Sequence, residues 1–482
     1  MLHVVNVLGR LLVVFSVTYL VPITCSLIFH DGMLWHFIDG MAISAAGGAL
    51  LYLATRRHYR ELKPRDGFLL VTLSWVLMAA IASVPLMLAY DSMSFTDAYF
   101  EMISGLTTTG ATVMIGLDLA PQSINIWRHL MNWIGGMGII VFAVAILPLL
   151  GVGGMQLYKA ETPGPMKDSK LTARIADTAK ALYLVYVGMT IVCLVSLRLA
   201  GMSWFDATCH AFSAMGLGGF STRDASVGAF DSVAIEAVLS FFMLLAGINF
   251  ATHFLAVRRL SWGPYLRDTE AKAYLLIMAL AFIGLTSYLT FQGVYEDAGR
   301  SARMVMFNLV SIGTGSGYAS TDYAQWPIFA PLLMLFLGGI IPCAGSTGGG
   351  IKMVRTLVLF GQSQREILKL IHPAAVRPLM IGRNAVSERV AQSVLGFIFL
   401  YFMSAALMIF VLLLSGLDFI TAFSAIIACI NNIGPGLGDV GPAGNFQGLN
   451  DFQTWVCAFA MLLGRLEIFA VLVLFTPGFW RK

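Results

Sequence analysis

Charge is what this chain has least of: only 12% of its 482 residues are Asp, Glu, Lys or Arg, while 58% are hydrophobic. A water-soluble domain carries about 25% charged residues to solvate its surface. With a mean hydropathy of +0.80, a soluble globular fold is excluded. Cysteine is sparse as well. Cys25, Cys193, Cys209, Cys343, Cys429 and Cys457 lie far apart with no CxxC pair, which excludes a disulfide framework and a cysteine metal site. The eight histidines are scattered and read as structural or interfacial. No cluster of His, Cys and carboxylate lies inside an apolar segment, so a membrane enzyme is not expected. The net charge of +4 is spread over many short segments, so no basic face for nucleic acid exists. The apolar run in the first 30 residues lacks an Ala-x-Ala-like cleavage site and is expected to be a retained span.

What is present is apolar length. Stretches of about 20 residues, enough to cross a bilayer core as helix, recur near 5–29, 33–55, 67–90, 125–150, 181–201, 232–257, 273–293, 326–358, 392–416 and 452–476. Alternating the sides of these ten spans puts 24 Lys and Arg on one face: Arg10, five in 56–65, five in 159–180, four in 258–272, seven in 352–389, and Arg481-Lys482. The other face holds Arg128, Arg198, Arg223, Arg300 and Arg303, and Arg465 falls within a span. Positive charge stays inside, so both termini are expected in the cytoplasm, with the chain in the cell inner membrane.

Between outward and returning spans lie four segments too short and polar to cross. The first runs Phe95-Thr96-Asp97-Ala98 to Ser104-Gly105-Leu106-Thr107-Thr108-Thr109-Gly110, and the second Phe205-Asp206-Ala207 to Ser213-Ala214-Met215-Gly216-Leu217-Gly218-Gly219. The third ends Ser311-Ile312-Gly313-Thr314-Gly315-Ser316-Gly317-Tyr318, and the fourth runs Ile420-Thr421-Ala422 to Cys429-Ile430-Asn431-Asn432-Ile433-Gly434. Ala98, Ala207 and Ala422 each precede the final glycine by twelve residues; Ser104, Ser213 and Ser311 precede it by six. This is an internal repeat of span, short half-helix, extended return and span. The fold class is therefore an all-α polytopic membrane protein. It has four tandem span–pore-loop–span repeats around one pore plus two extra N-terminal spans, about ten spans and four re-entrant pore helices in all. The expected organisation is an N-terminal two-span domain over 1–66, then pore repeats over 67–158, 181–260, 272–360 and 390–482.

Non-helical backbone at membrane depth must line a watery cavity or be buried in protein. Half-helices aimed at the membrane centre favour a cation at their C-termini, with Asp97 and Asp206 at the opposite, N-terminal ends. The extended returns then offer carbonyl oxygens in place of an ion's hydration shell. The glycine pairs Gly135-Gly136 and Gly338-Gly339 lie inside full spans and read instead as close helix packing. All four copies run in the same direction, which favours a pore over the inverted repeats of an alternating-access carrier.

In the third repeat the returning span is interrupted by Pro342-Cys343-Ala344-Gly345-Ser346-Thr347-Gly348-Gly349-Gly350, followed by Ile351-Lys352. Proline and four glycines prevent a continuous helix. A phosphate-binding loop would need Lys directly after its last glycine and a hydroxyl residue after the Lys, and neither is present. A flexible intramembrane loop beneath the four returns is expected. Arg465 is costly within a span. One reading is a packing arginine paired with a buried acid; the preferred one places it at the pore, donating to carbonyls of loop 343–350. Glu467, two positions on, is not expected to share its face.

These loops resemble those of the Trk/Ktr/HKT potassium transporters, and the likeness extends over the whole chain. It is carried by Thr107-Thr108-Thr109-Gly110-Ala111-Thr112, Gly216 to Thr222, Thr314 to Tyr318 and Asn431 to Pro435. The two extra spans and Leu463-Gly464-Arg465-Leu466-Glu467 fit the family's bacterial TrkH branch. The resemblance implies a potassium filter of Thr108, Thr109, Gly110, Leu217, Gly218, Gly219, Gly315, Ser316, Gly317, Asn432, Ile433 and Gly434. Glycine at all four final positions implies preference for potassium over sodium, and loop four departs most from the pattern. The same resemblance implies a gating loop of Gly345, Ser346, Thr347, Gly348, Gly349 and Gly350, to which the preferred reading of Arg465 adds that residue; no cofactor beyond the transported potassium ion is expected. Its implied partners are membrane lipid, a second copy in a homodimer, and a cytosolic TrkA-type nucleotide-binding regulatory ring.

The charge asymmetry gives a direct test of topology. Single cysteines at Leu62 or Asp168 should react with an impermeant thiol reagent only from the cytoplasmic side. One at Gly228 should react only from outside. Labelling from the opposite face at any of these positions overturns the ten-span arrangement.

Overall fold

The computed structural model describes residues 1–57, 63–138, 175–375, 377–382 and 384–481. Parts of the expected basic segments 56–65 and 159–180, the second half of the span near 125–150, and the end of the repeat over 67–158 lie outside the described residues. Among those described, six helices are long and apolar enough to cross a membrane: Leu2–Phe29, Leu34–Thr55, Arg65–Ala89, Ala179–Leu199, Thr269–Phe291 and Glu388–Leu414. Two bent pairs would raise that to eight. Of the other two expected spans, one is described as Gln122–Gly136, and the other begins as Phe329–Ile340 and resumes as Met353–Ile371.

Two expected continuous spans are broken. The segment near 232–257 is Val233–Ala246 followed by Phe250–Arg259, bent by 97°. The segment near 452–476 is Asp451–Arg465 followed by Phe469–Phe475, bent by 109°. The second break passes through Glu467 and Ile468, both at positive φ (56° and 53°). Hydropathy averages over such breaks, because a single polar residue at each, Asn249 or Glu467, is flanked by apolar ones.

The chain is not wholly helical either. Leu379–Ile381 pairs antiparallel with Asn384–Val386, Ile381 opposite Asn384, and Gly382 at φ 60° opens the turn. This small hairpin packs beside Met353–Ile371 and Glu388–Leu414, burying Leu379 and Ile381 with Val358, Ala391 and Val394. Three-residue strands are too short for a periodicity to reveal.

The four half-helices are Phe95–Leu106, Trp204–Gly216, Ala298–Gly313 and Phe419–Ile430. Each starts at a side-chain cap: Ser94 accepts from the Asp97 amide, Ser203 from Asp206, Asp297 from Arg300, and Asp418 from Thr421. Asp97 and Asp206 complete their caps by accepting the Ser94 and Ser203 hydroxyls, each at 2.8 Å. Carboxylates there oppose the positive end of the helix dipole.

The two N-terminal spans pack on the first repeat. Gly9 and Gly48 let Leu2–Ser16 and Leu34–Thr55 cross closely, since a Cβ on either would strike the other's carbonyl oxygen. Small residues at helix crossings serve the same purpose wherever lipid offers no hydrophobic drive for association. Ser44 Oγ donates to Leu12 O at 2.9 Å, and Asn6 Nδ2 to Thr55 Oγ1 at 3.3 Å. Trp127 of the first repeat packs at a tilt against Tyr19, centroids 4.4 Å apart, and its indole N–H donates to Ala82 O at 2.9 Å. Gly48→Val should therefore cost about 1–3 kcal/mol of stability by overpacking. A lowered thermal midpoint in detergent is the expected result; an unchanged midpoint would mean that the crossing is not tight.

Candidate functional site

The four half-helices end in one way. The residue two before each final glycine sits at positive φ: Thr108 (54°), Leu217 (53°), Gly315 (80°) and Asn432 (54°). Its amide bonds back three residues and the next amide bonds back five. Thr109 N donates to Ser104 O at 2.8 Å, Gly218 N to Ser213 O at 2.9 Å, Ser316 N to Ser311 O at 2.8 Å, and Ile433 N to Ala428 O at 2.8 Å. This is the Schellman stop, repeated four times. The serine recurring six before the final glycine in copies one to three is the residue whose carbonyl takes this bond. Thr108, Leu217 and Asn432 pay a steric penalty for the left-handed state, about 1–3 kcal/mol each, and such strain clusters at functional sites.

The final glycines are left-handed too: Gly110 (80°), Gly219 (64°), Gly317 (90°) and Gly434 (100°). Left-handed residues thus alternate with a residue of ordinary φ through each loop. Alternation of this kind gathers successive N–H groups on one side of the chain, which leaves the C=O groups on the other.

The loops meet in a ring. A Cβ at Gly110 would run into the carbonyl of Gly218, one at Gly219 into that of Ser316, one at Gly317 into that of Ile433, and one at Gly434 into that of Thr109. Each loop's final glycine therefore backs onto the next loop's penultimate carbonyl, and the fourth returns to the first. Of the twelve residues expected at the filter, the last two of each loop meet at these seams, and Thr108, Leu217, Gly315 and Asn432 sit one position back at the helix stops. Asn432, in the loop that departs most from the pattern, fastens the last seam: its Nδ2 donates to Thr109 Oγ1 and to Met461 O, each at 3.0 Å.

On one side of the ring a cavity is lined by all four returns, including Ala111, Phe220, Ala319 and Pro435. On the other lies loop 343–350. Thr347 Oγ1 donates to Met215 O of the second half-helix at 3.0 Å. Gly348 packs against Thr314 O, and Gly349 against Asn431 O, so a Cβ at either would collide. The loop thereby touches the C-terminal ends of the second, third and fourth half-helices. Arg465 closes the remaining quarter. It donates to Thr347 O at 2.8 Å, to Gly136 O at 3.1 Å, and to Gly135 O.

The contact between Arg465 and the loop is the one that sequence reasoning preferred, but Arg465 ends its helix rather than sitting mid-span. Glu467 instead pairs with Arg355 at 2.7 Å. Gly135 and Gly338 pack tightly against Leu106 O and Ile312 O, as the packing reading of both pairs expects. One feature escaped sequence reasoning. Arg128, counted there as an outer-side charge, is wholly buried in Gln122–Gly136 and pairs with Glu101 at 2.7 Å.

Comparison with known proteins agrees with this architecture. The TrkH family model, described as a cation transport protein, matches residues 35–482. The chain is 45% identical over 480 residues to the Trk system potassium uptake protein TrkH of Halomonas elongata, covering 99% of both. It is 43% identical over 483 residues to the protein of that name from Escherichia coli K12, again covering 99% of both. The crystal structure of the potassium transporter TrkH from Vibrio parahaemolyticus superposes with a TM-score of 0.90 at 43% identity, covering 100% of this chain and 99% of that one. This is a multi-pass membrane protein that belongs to the TrkH family of cation transport proteins, not to a family of enzymes.

Proposed function

We propose that this chain takes up potassium across the bacterial inner membrane, with both termini cytoplasmic, through a filter formed by the ring of four loops. The observation that carries the reading is the closure of that ring, glycine against carbonyl at every seam. Carbonyl oxygens held around one axis replace the hydration shell of a cation, and a weakly hydrated ion such as potassium is released from water more readily than sodium. Four half-helix C-termini converge there and add their partial negative charge. Relatives carry potassium uptake in their names, in keeping with the reading. Their naming as parts of a Trk system also supports a multi-component assembly. Within it we assign this chain a homodimeric partner and a cytosolic TrkA-type nucleotide-binding ring.

Gly110→Ser tests the filter. A Cβ and hydroxyl cannot fit against the Gly218 carbonyl without moving it, so potassium flux should collapse or sodium should enter. Reversal potentials in mixed potassium and sodium that stay at wild-type values would falsify the filter assignment at Gly110.

Loop 343–350 acts in this scheme as the gate, and Arg465 as its latch. The guanidinium holds the loop through Thr347 and places a cation on the ion's way out. Arg465→Ala removes both obstacles, so basal potassium uptake into proteoliposomes should rise in the absence of a regulatory partner. Deleting Gly348-Gly349-Gly350 should raise it too, and the double variant should gain less than the two singles together, since both remove one interaction. Unchanged or lower flux from folded Arg465→Ala protein would sink the gate.

A further inference from the structure

Behind the ring, each half-helix sends one buried polar side chain forward to the chain leaving its own loop. In the first quarter this is Glu101, nine residues before Gly110. Its carboxylate accepts Thr112 Oγ1 at 2.9 and 3.0 Å and the Val113 amide at 3.0 Å. In the second quarter His210, nine before Gly219, lies with Nε2 3.0 Å from Ser221 Oγ. In the third, Asn308 is nine before Gly317; it donates to Ser320 Oγ at 2.9 Å and accepts the Ser320 amide at 3.1 Å. The fourth has Ala425 at that position, and the preceding residue substitutes. Ser424 Oγ accepts the Leu437 amide at 2.7 Å and donates to Leu437 O at 3.1 Å. All four side chains belong to fully buried residues.

The first brace differs from the others in carrying charge. Arg128 Nε donates to Glu101 at 2.7 Å, with both side chains fully buried. The same guanidinium donates to Ser221 O, in the second loop's return, at 3.2 Å and to Thr112 Oγ1 at 3.3 Å. It also lies 4.3 Å from the centre of the Phe220 ring. The pair therefore spans the seam between the first two quarters. A buried ion pair is weak as a source of stability, because well-packed apolar residues of like volume do as well. What a fixed, directional pair supplies is position, and both of its outputs go to the backbone that immediately follows Gly110 and Gly219.

We propose that Glu101, His210, Asn308 and Ser424 are positioning residues that fix the outer end of the filter, and that the Glu101–Arg128 pair is the brace on which potassium-over-sodium selectivity depends most. The inference rests on reading the ring as a potassium filter. A carbonyl ring free to contract would close on the smaller sodium ion. Braces that hold the returns apart keep the oxygens at the spacing that potassium needs.

The test is the potassium-to-sodium permeability ratio of full-length protein in liposomes, with folded protein counted by its size-exclusion peak. Glu101→Gln keeps the side chain's shape and removes its charge. The ratio should fall about tenfold, comparable to one lost charge-assisted hydrogen bond. Arg128→Gln should do the same, and the double variant should be no worse than either single, because the pair acts as a unit. Asn308→Ala and Ser424→Ala should lower the ratio less, in the same direction, and they answer the question even if Glu101→Gln does not fold. A purely structural role predicts lower folded yield with an unchanged ratio, and that result in the folded variants overturns the proposal. Gly110→Ser, measured alongside, separates the two levels. If it moves the ratio while the braces do not, the braces alone are refuted; if it too leaves the ratio unchanged, the filter reading falls and takes the braces with it.

Discussion

No backbone amide or carbonyl can go unsatisfied in the hydrocarbon core of a bilayer, and this constraint organises the helix stops and breaks among the described residues. A half-helix that stops at membrane depth exposes several carbonyls. Each of the four stops here returns two amides to its own last turn, so the helix is closed off without help from lipid or water. The loop between Phe329–Ile340 and Met353–Ile371 meets the same requirement by partnership. Cys343 N donates to Gly247 O and Phe250 N to Gly345 O, each at 3.0 Å. The break in the second repeat's returning helix and the loop of the third thus satisfy one another. The Ala344 amide is taken up at 2.9 Å by Glu270, at the start of the next outward span. Two interruptions that would each be costly alone are stable as a pair.

The second constraint is steric. Around the ring the backbones approach so closely that no side chain fits at the final position of any loop, and the same holds one layer out. A Cβ at Gly135, Gly338 or Gly464 would collide with the carbonyl of Leu106, Ile312 or Ile430. These three glycines lie on the returning helices of repeats one, three and four, and each carbonyl belongs to the half-helix of the same repeat. Helix-to-helix contact at backbone range is what holds each half-helix upright beside its own span. The glycine pairs inside the spans are therefore structural, while those in the loops shape the proposed filter.

Most of this was legible in the sequence wherever one residue type recurs because only it will fit. The final glycines gave away the fourfold repeat, since a left-handed backbone pressed against a neighbouring carbonyl leaves no room for a side chain. The break at Pro342–Gly350 was equally plain. The breaks at 247–249 and 466–468 were not, because Ile248, Leu466 and Ile468 are apolar and leave the hydropathy of a span intact. The braces were hidden for the opposite reason. Glutamate, histidine, asparagine and serine do one job in four ways, and a search for repeated letters passes over a repeated role. The burial of Arg128 was hidden too, because hydropathy and the count of charges on each side carry no sign of a partner at 2.7 Å.

The inequality of the four quarters has its own physical logic. Only one segment can lie across the axis beneath a ring, so only one repeat can supply the loop, and here it is the third. The loop then reaches the half-helix ends of repeats two, three and four through Thr347, Gly348 and Gly349. It leaves the first quarter open, and Arg465 from the fourth repeat fills it by bonding Gly135 and Gly136. Four identical chains would present four loops and four arginines to a space that holds one of each. Fusing four repeats into one chain lets each copy diverge, so that one supplies the loop proposed as the gate, another the arginine proposed as its latch, and a third the charged brace. The fold keeps fourfold order in the half-helices, their stops and the ring, and breaks it where loop 343–350 and Arg465 meet the half-helix ends.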